Sequence, residues 1–300
     1  MKLLIIILIL FIFVFIYYFF FPYSNKNSNV CLCVIAKMEN IYIREFIEHY
    51  KSLEVDKIII LDNNNEDGER FEEVIYDYIQ SGFVIIENYR NCKKCQIKSY
   101  KECYYKYKKH YEWIMFFDVD EYLILPNYKN IHEFLEDEKF KYFNIIRVNW
   151  IFYDDNNLIF YDNRPLQQRF IRPRHLIDKN YINIYAKSII RTVFRKIDFL
   201  HAHSPIRKYN HRVCDVTGKK KKNPAELYNL TVPYLKHFGV KTVEEYFKNK
   251  MNRGFPLSGT EIFEKVISKD FFFDCNDWNI LKEIVADYYI YKFYNESLKN

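Results

Sequence analysis

"VCLCVIAKMENIYIREFIEHYKSLEVDKIIILDNNNEDG", residues 30–68, holds two continuous apolar runs, 30–36 and 57–61, around a segment in which Ile43, Phe46, Ile47, Tyr50 and Leu53 recur every three or four residues. A run of aliphatic residues with no polar alternation has no face for water, so each run reads as a strand buried on both sides. The recurrence between them is the period of a helix with one apolar stripe. Strand, helix, strand, closed by the turn-rich "DNNNEDG", is the crossover unit of a parallel sheet.

The pattern repeats outward from there. "ERFEEVIYDYIQS" (69–81) reads as a helix, "FVIIE" (83–87) as a third strand, "CQIKSYKECYYKYKKH" (95–110) as a helix and "WIMFF" (113–117) as a fourth strand. Asn130 with Glu133 three residues on marks a helix start, "NIIRVNW" (144–150) a further strand, and Thr242 with Glu245 a capping box. Between Ile151 and about His237 the pattern is irregular, with short strand-like pieces such as "SIIRTVF"; a last amphipathic helix is expected from Trp278 to about Tyr294. The expected class is α/β, a mostly parallel sheet flanked by helices.

With 49% hydrophobic and 19% aromatic residues and only 6 Gly, the 300-residue chain has the composition of a folded body rather than a disordered or collagen-like one. Tyr and Lys are abundant throughout, so a single one carries little information. The net charge of +6 is modest and four of its positive charges sit in one run, Lys219 to Lys222, without the broad basic stripe of a nucleic-acid binder. From Leu3 to Phe21 the only polar residues are two Tyr. Those nineteen positions span about 28 Å as a helix at ~1.5 Å per residue, the thickness of a bilayer core. Its bulky end, "YYFFFPYS", lacks a small-residue cleavage site, so an uncleaved anchor of a single-pass type II protein is expected, with the body in a lumen. The sequons at Asn229 and Asn295 agree with that compartment, and of the seven Cys at least one would stay unpaired there. "CKKC" (92–95) has no second ligand pair downstream, so it reads as thiols or a disulfide rather than zinc. The chain divides into residues 1–24 (cytosolic tip and anchor), 25–255 (one α/β domain) and 256–300 (a helical extension).

The chemistry sits at the end of the fourth strand, where "FFDVDEYL" (116–123) supplies Asp118, Asp120 and Glu121. Ligands of open α/β sheets bind at the carboxyl ends of the strands. Side chains two apart in extended chain point the same way, so Asp118 and Asp120 can converge on one site. Two hard oxygen ligands suit Mg²⁺ or Mn²⁺ shared with a substrate diphosphate, the arrangement that activates a nucleotide-sugar donor. Asp62 ends the second strand on the same edge, within reach of a base or ribose. Aspartyl-phosphate hydrolases also carry an apolar strand ending in Asp-x-Asp, but on their first strand and followed by Thr or Val, not by Glu-Tyr on the fourth.

The ordered set of "CVIAKMENIYIREFIEHYKSLEVDKIIILDNNNEDG", "CQIKSYKEC", "WIMFFDVDEYL", "NIIRVNW", "KSIIR", "HAH" and "KHFGVKTVEEYFKNKMNRG" resembles glycosyltransferase family 92 and the related family-2-like glycosyltransferases over residues 31–255. The resemblance implies a GT-A fold and metal-dependent, inverting transfer from a nucleotide sugar, UDP-linked, to a glycan or glycoprotein hydroxyl. It implies that Asp118 and Asp120 are the catalytic Asp-x-Asp pair with Glu121 as acidic follower, and that Lys37, Asp62 and Glu121 face the donor. It also implies that His237 joins Asp118 and Asp120 on the metal; Gln96 and Trp150 match the family as structural positions. Met38, Lys236 and Phe238 depart from the family's Asn, Asn and Tyr. Inversion needs a carboxylate base, and Asp154, Asp155 and Asp178 are its candidates, with Asp162 and Asp198 beside them. The alternatives are an inactive, membrane-anchored carbohydrate-binding or scaffold protein on the same fold and, more distantly, a phosphotransferase.

Overall fold

Aliphatic runs become strands only where both faces find cover, and here they do. The computed structural model describes residues 29–153, 156, 158, 160–173, 185–201, 204–205, 212–220, 229–239, 241–242 and 245. Its first half is β1 (Val30–Ala36), α1 (Asn40–Ser52), β2 (Lys57–Asp62), α2 (Glu72–Gln80), β3 (Val84–Asn88), α3 (Gln96–Tyr107) and β4 (Trp113–Phe116). Along β1, Val30, Leu32 and Val34 enter a core with Ile43, Phe46, Ile47 and Tyr50 of α1 and Ile75 of α2. The alternate residues, Cys31 and Cys33, enter a second core with Tyr100, Cys103, Tyr104 and Tyr107 of α3. The absence of polar alternation in the strand sequences is thus the signature of this double cover.

The second half adds β5 (Glu121–Ile124), α4 (Ile131–Glu136), β6 (Ile145–Phe152), the single-turn α5 (Leu166–Arg169), β7 (Ala186–Arg191), the small hairpin β8 (Phe199–His201) and β9 (Ser204–Pro205), then β10 (Val213–Asp215) and β11 (Tyr234–His237). Asn130 caps α4 as expected, its Oδ1 accepting the Glu133 N–H at 2.9 Å. The large sheet runs β3-β2-β1-β4-β7-β6-β11-β5, with β10 also on β6.

The expectation of a mostly parallel sheet holds from β3 to β4 and is corrected beyond. β7 inserts antiparallel between β4 and β6, with Phe116 opposite Ser188 and Ile145 opposite Ile190. β5 lies antiparallel to β11, with Glu121 opposite His237. The sheet is therefore mixed: an apolar run such as "SIIRTVF" specifies a buried strand but not its direction, which its long connection sets. The apolar run 3–21, the stretch 256–300 with its expected helix, Asn295, and the candidate bases Asp154, Asp155 and Asp178 lie outside the described residues. Among the described residues no helix is long and apolar enough to cross a membrane. The six described cysteines, Cys31, Cys33, Cys92, Cys95, Cys103 and Cys214, are free thiols.

Candidate active site

β4 ends at Phe116 and the chain turns sharply into β5, so the acidic residues line the carboxyl edge of the sheet. The turn is closed from within. The Glu121 N–H donates to the Asp118 carbonyl at 3.0 Å, and Glu121 Oε2 accepts the Asp118 N–H at 3.0 Å. Two neighbours fix it from outside: the Tyr50 hydroxyl of α1 donates to the Glu121 carbonyl at 2.7 Å and accepts the Leu123 N–H at 3.2 Å. The Phe238 N–H, just past β11, donates to the Asp120 carbonyl at 2.9 Å. The backbone that presents the carboxylates is thus held from two places distant in sequence, α1 and the residue after β11.

The three carboxylates have different surroundings. Asp118, with its side chain 31% exposed, accepts from Lys187 Nζ at 2.7 Å, and its other oxygen faces the Tyr100 hydroxyl at 3.1 Å and Gln96 Nε2 at 3.4 Å. Asp120 is nearly buried, with Oδ1 3.6 Å from His237 Nε2. Glu121 is fully buried; its Oε1 stands 3.4 Å from Lys187 Nζ and accepts no hydrogen bond. Burial pushes the Glu121 carboxyl well above its usual range, against the pull of Lys187. For Lys187, burial alone would lower the ammonium's pKa, but the Asp118 and Glu121 carboxylates outweigh it and hold the amine protonated.

Ligand atoms of Asp120, Glu121 and His237 lie within 4.8 Å of one another, the one such group of metal-binding side chains among the described residues. Asp118, expected beside Asp120 on the metal, is outside this group and on Lys187. His237 enters through the register of β11 against β5, its ring 4.1 Å from the Trp150 ring and 5.2 Å from that of Phe152, centroid to centroid. Gly239 keeps that pocket open: a Cβ there would stand 2.8 Å from Phe152 Cε2 and 3.0 Å from His237 Cε1.

Along the same edge, Asp62 ends β2 buried, its Oδ1 accepting from the Asn64 N–H at 3.0 Å and Nδ2 at 2.8 Å, its Oδ2 paired with Arg90 Nε at 2.9 Å. Asp62 thus shapes the loop "DNNNEDG". Lys37 follows β1 half-buried, and Met38 after it adopts φ 55°, its N–H on Asn64 Oδ1 at 2.8 Å. Of the remaining base candidates, Asp162 is half-buried and bonded to Arg164, which holds its pKa down to about 2, and Asp198 pairs with Lys101 on the surface. A carboxylate so acidic is a poor proton acceptor. Sequence reasoning passed over Lys187 and Tyr100 as site residues. The available signal was a lysine set inside the apolar run "AKSIIR", since a cation buried in a sheet must have an acidic partner.

Residues 26–268 match the profile of glycosyltransferase family 92. Two curated relatives are a glycosyltransferase family 92 protein of Ricinus communis, 22% identical over 63% of this chain and 36% of that one, and a galactan β-1,4-galactosyltransferase of Arabidopsis thaliana, 23% identical over 60% of this chain and 42% of that one. The chain thus spans about two-fifths of the length of these relatives. Among solved structures, S. aureus TarS 1–349 overlays on 78% of the chain and 68% of its own length with a TM-score of 0.39 at 11% identity.

Proposed function

The chain belongs to glycosyltransferase family 92, and on that premise we propose that it is a metal-dependent, inverting glycosyltransferase of GT-A type that moves a sugar from a nucleotide-sugar donor, UDP-linked, to a hydroxyl of a glycan or glycoprotein. The observation that carries this reading is the convergence of Asp120, Glu121 and His237 within 4.8 Å at the carboxyl edge of the sheet.

The donor set fits a divalent cation. Two carboxylates and an imidazole suit Mn²⁺, and Mg²⁺ less closely, and Glu121 Oε1 has a lone pair that no hydrogen bond takes. Such an ion offsets the charge that develops on a departing nucleoside diphosphate. Asp120, Glu121 and His237 hold it; Asp118, fixed by Lys187, Tyr100 and Gln96, orients the donor's ribose or sugar; Lys37 and Asp62 flank the nucleoside. In the reaction the bond from the donor's anomeric carbon to the acceptor oxygen forms as the bond to the diphosphate oxygen breaks. The diphosphate leaves with that electron pair, and the hydroxyl proton passes to a carboxylate base, for which Asp154, Asp155 and Asp178 are the candidates. The galactan-extending relative makes a galactosyl donor the first to try. Anchoring through residues 3–21, with the body in a lumen, belongs to the same proposal.

Calorimetric titration of the chain with nucleoside diphosphates, with and without Mn²⁺, tests it, followed by transfer from the matching nucleotide sugar. Manganese-dependent binding of one nucleotide, abolished by Asp120→Ala, and turnover by the parent are the expected results. A well-folded parent that binds no nucleotide in either condition would overturn the reading and favour the inactive carbohydrate-binding alternative.

A further inference from the structure

Beside Asp120, Glu121 and His237 the sheet edge turns from acidic to aromatic. The Trp150 ring, near the end of β6, lies 4.1 Å from the His237 imidazole and 5.4 Å from the Tyr185 ring, centroid to centroid. Tyr185 immediately precedes β7, whose first residues pair with the last part of β6, Ala186 opposite Asn149. Both rings therefore sit at one end of neighbouring strands, and the backbone N–H of Trp150 donates to the Tyr185 carbonyl at 3.1 Å. In a chain with 28 Tyr an exposed tyrosine means little alone. Tyr185, 51% exposed, differs because its ring continues through Trp150 to His237. Charge lies close to the pair: the buried Lys187 Nζ is 5.9 Å from the Trp150 ring centroid and 2.7 Å from Oδ2 of the partly exposed Asp118.

A flat aromatic face with hydrogen-bonding groups at its margin matches a pyranose ring, which presents a patch of C–H groups on one face and hydroxyls around its rim. The strand order then separates donor from acceptor. Neighbouring strands are ~4.8 Å apart, so β2 with Asp62 lies about 10 Å to one side of β4 and β6 with Trp150 about 10 Å to the other. A donor with its diphosphate over the turn after β4 and its nucleoside toward β1 and β2 leaves the β7–β6 side for the molecule that receives the sugar. Resting on the glycosyltransferase reading, we infer that Trp150 and Tyr185 form the acceptor platform, stacking on a neutral pyranose whose hydroxyl faces the Asp120–His237 side.

Saturation-transfer NMR on the chain tests this with two sets of probes: disaccharides of galactose, glucose and mannose, and UDP or GDP with Mn²⁺. The proteins compared are the parent, Tyr185→Ala and Tyr185→Phe; the altered side chain is largely exposed, so its removal leaves the core alone. Expected is transfer to the ring C–H protons of at least one disaccharide in the parent and in Tyr185→Phe, weakened by about fivefold or more in Tyr185→Ala, the order of one lost stacking face. Nucleotide binding stays equal in all three. The inference is overturned if no disaccharide binds the parent, if binding survives in Tyr185→Ala, or if that variant loses the nucleotide instead, which would make the rings a base platform. Tyr185-dependent sugar binding in a chain that takes no nucleotide keeps the platform and removes the transferase reading, so the two fail separately.

Discussion

Lys187 neutralises the acidic turn: a fully buried ammonium between Asp118 and Glu121. Lys187→Met leaves a buried carboxylate without its partner, and we expect it to cost about 3–5 kcal/mol, read as a lower urea midpoint. Met38 is a different kind of residue problem. It stands at φ 55°, where a side chain crowds its own backbone and where Asn sits with less strain. Met38→Asn should therefore stabilise the chain by about 0.5–1 kcal/mol, visible in the same titration. Gly239 works through space rather than through φ. Gly239→Ala sets a methyl group against Phe152 and the His237 ring, so it should weaken Mn²⁺ binding about tenfold or more while the melting temperature falls only a few degrees. At this scale the sequence was legible where chemistry announces itself, as at Asp120 and, through family resemblance, His237. It was silent where a role is conferred by a partner: Lys187 becomes a site residue only because β7 lands beside β4, and Asp62 serves its own loop because Arg90 and Asn64 meet it there.

Among the elements, α1 does more than cover the sheet. His49 at its C-terminal end bonds the Leu123 carbonyl through Nε2 at 2.9 Å and faces Gln167 Nε2 through Nδ1 at 3.3 Å, which sets the neutral tautomer with hydrogen on Nε2. Burial takes its pKa from 6.5 down to about 4. The unfolded chain thus binds a proton there that the folded chain refuses. Stability from this group is complete above pH 6.5 and falls as pH drops toward 4, by up to about 1.4 kcal/mol per unit. His49→Gln should flatten that stretch of the stability profile. At the other end of the helix, the Tyr42 hydroxyl donates to Glu245 Oε1 at 2.7 Å, and Arg169 of α5 grips the same buried carboxylate at 2.8 and 3.0 Å. Glu245 also closes the capping box foreseen in the sequence, taking the Thr242 N–H at 3.0 Å while its own N–H meets the Thr242 hydroxyl at 3.2 Å. The box was legible because both partners lie within one turn; the Arg169 and Tyr42 contacts, from remote segments, were not.

At the scale of the whole molecule, the half that was read correctly is the half in which each unit completes itself. From β1 to β4, helix and strand periods alternate and every strand after β1 pairs in parallel with one that precedes it. From β5 onward, antiparallel pairs enter, and β7 takes the place beside β4 that a parallel reading would have given to the next strand in sequence. That insertion also sets a timetable. On a ribosome delivering roughly 5–20 residues per second, β4 can join β1 as soon as it emerges, yet its outer edge waits for β7, about seventy-five residues later, a matter of seconds. Over that interval a bare, apolar strand edge is open to any other nascent chain, and the carboxylates beside it have no ammonium to answer them. The strand that completes the reactive turn is thus also the one that closes the edge of β4, so the centre of the sheet stays open until a strand from the second half of the chain reaches it.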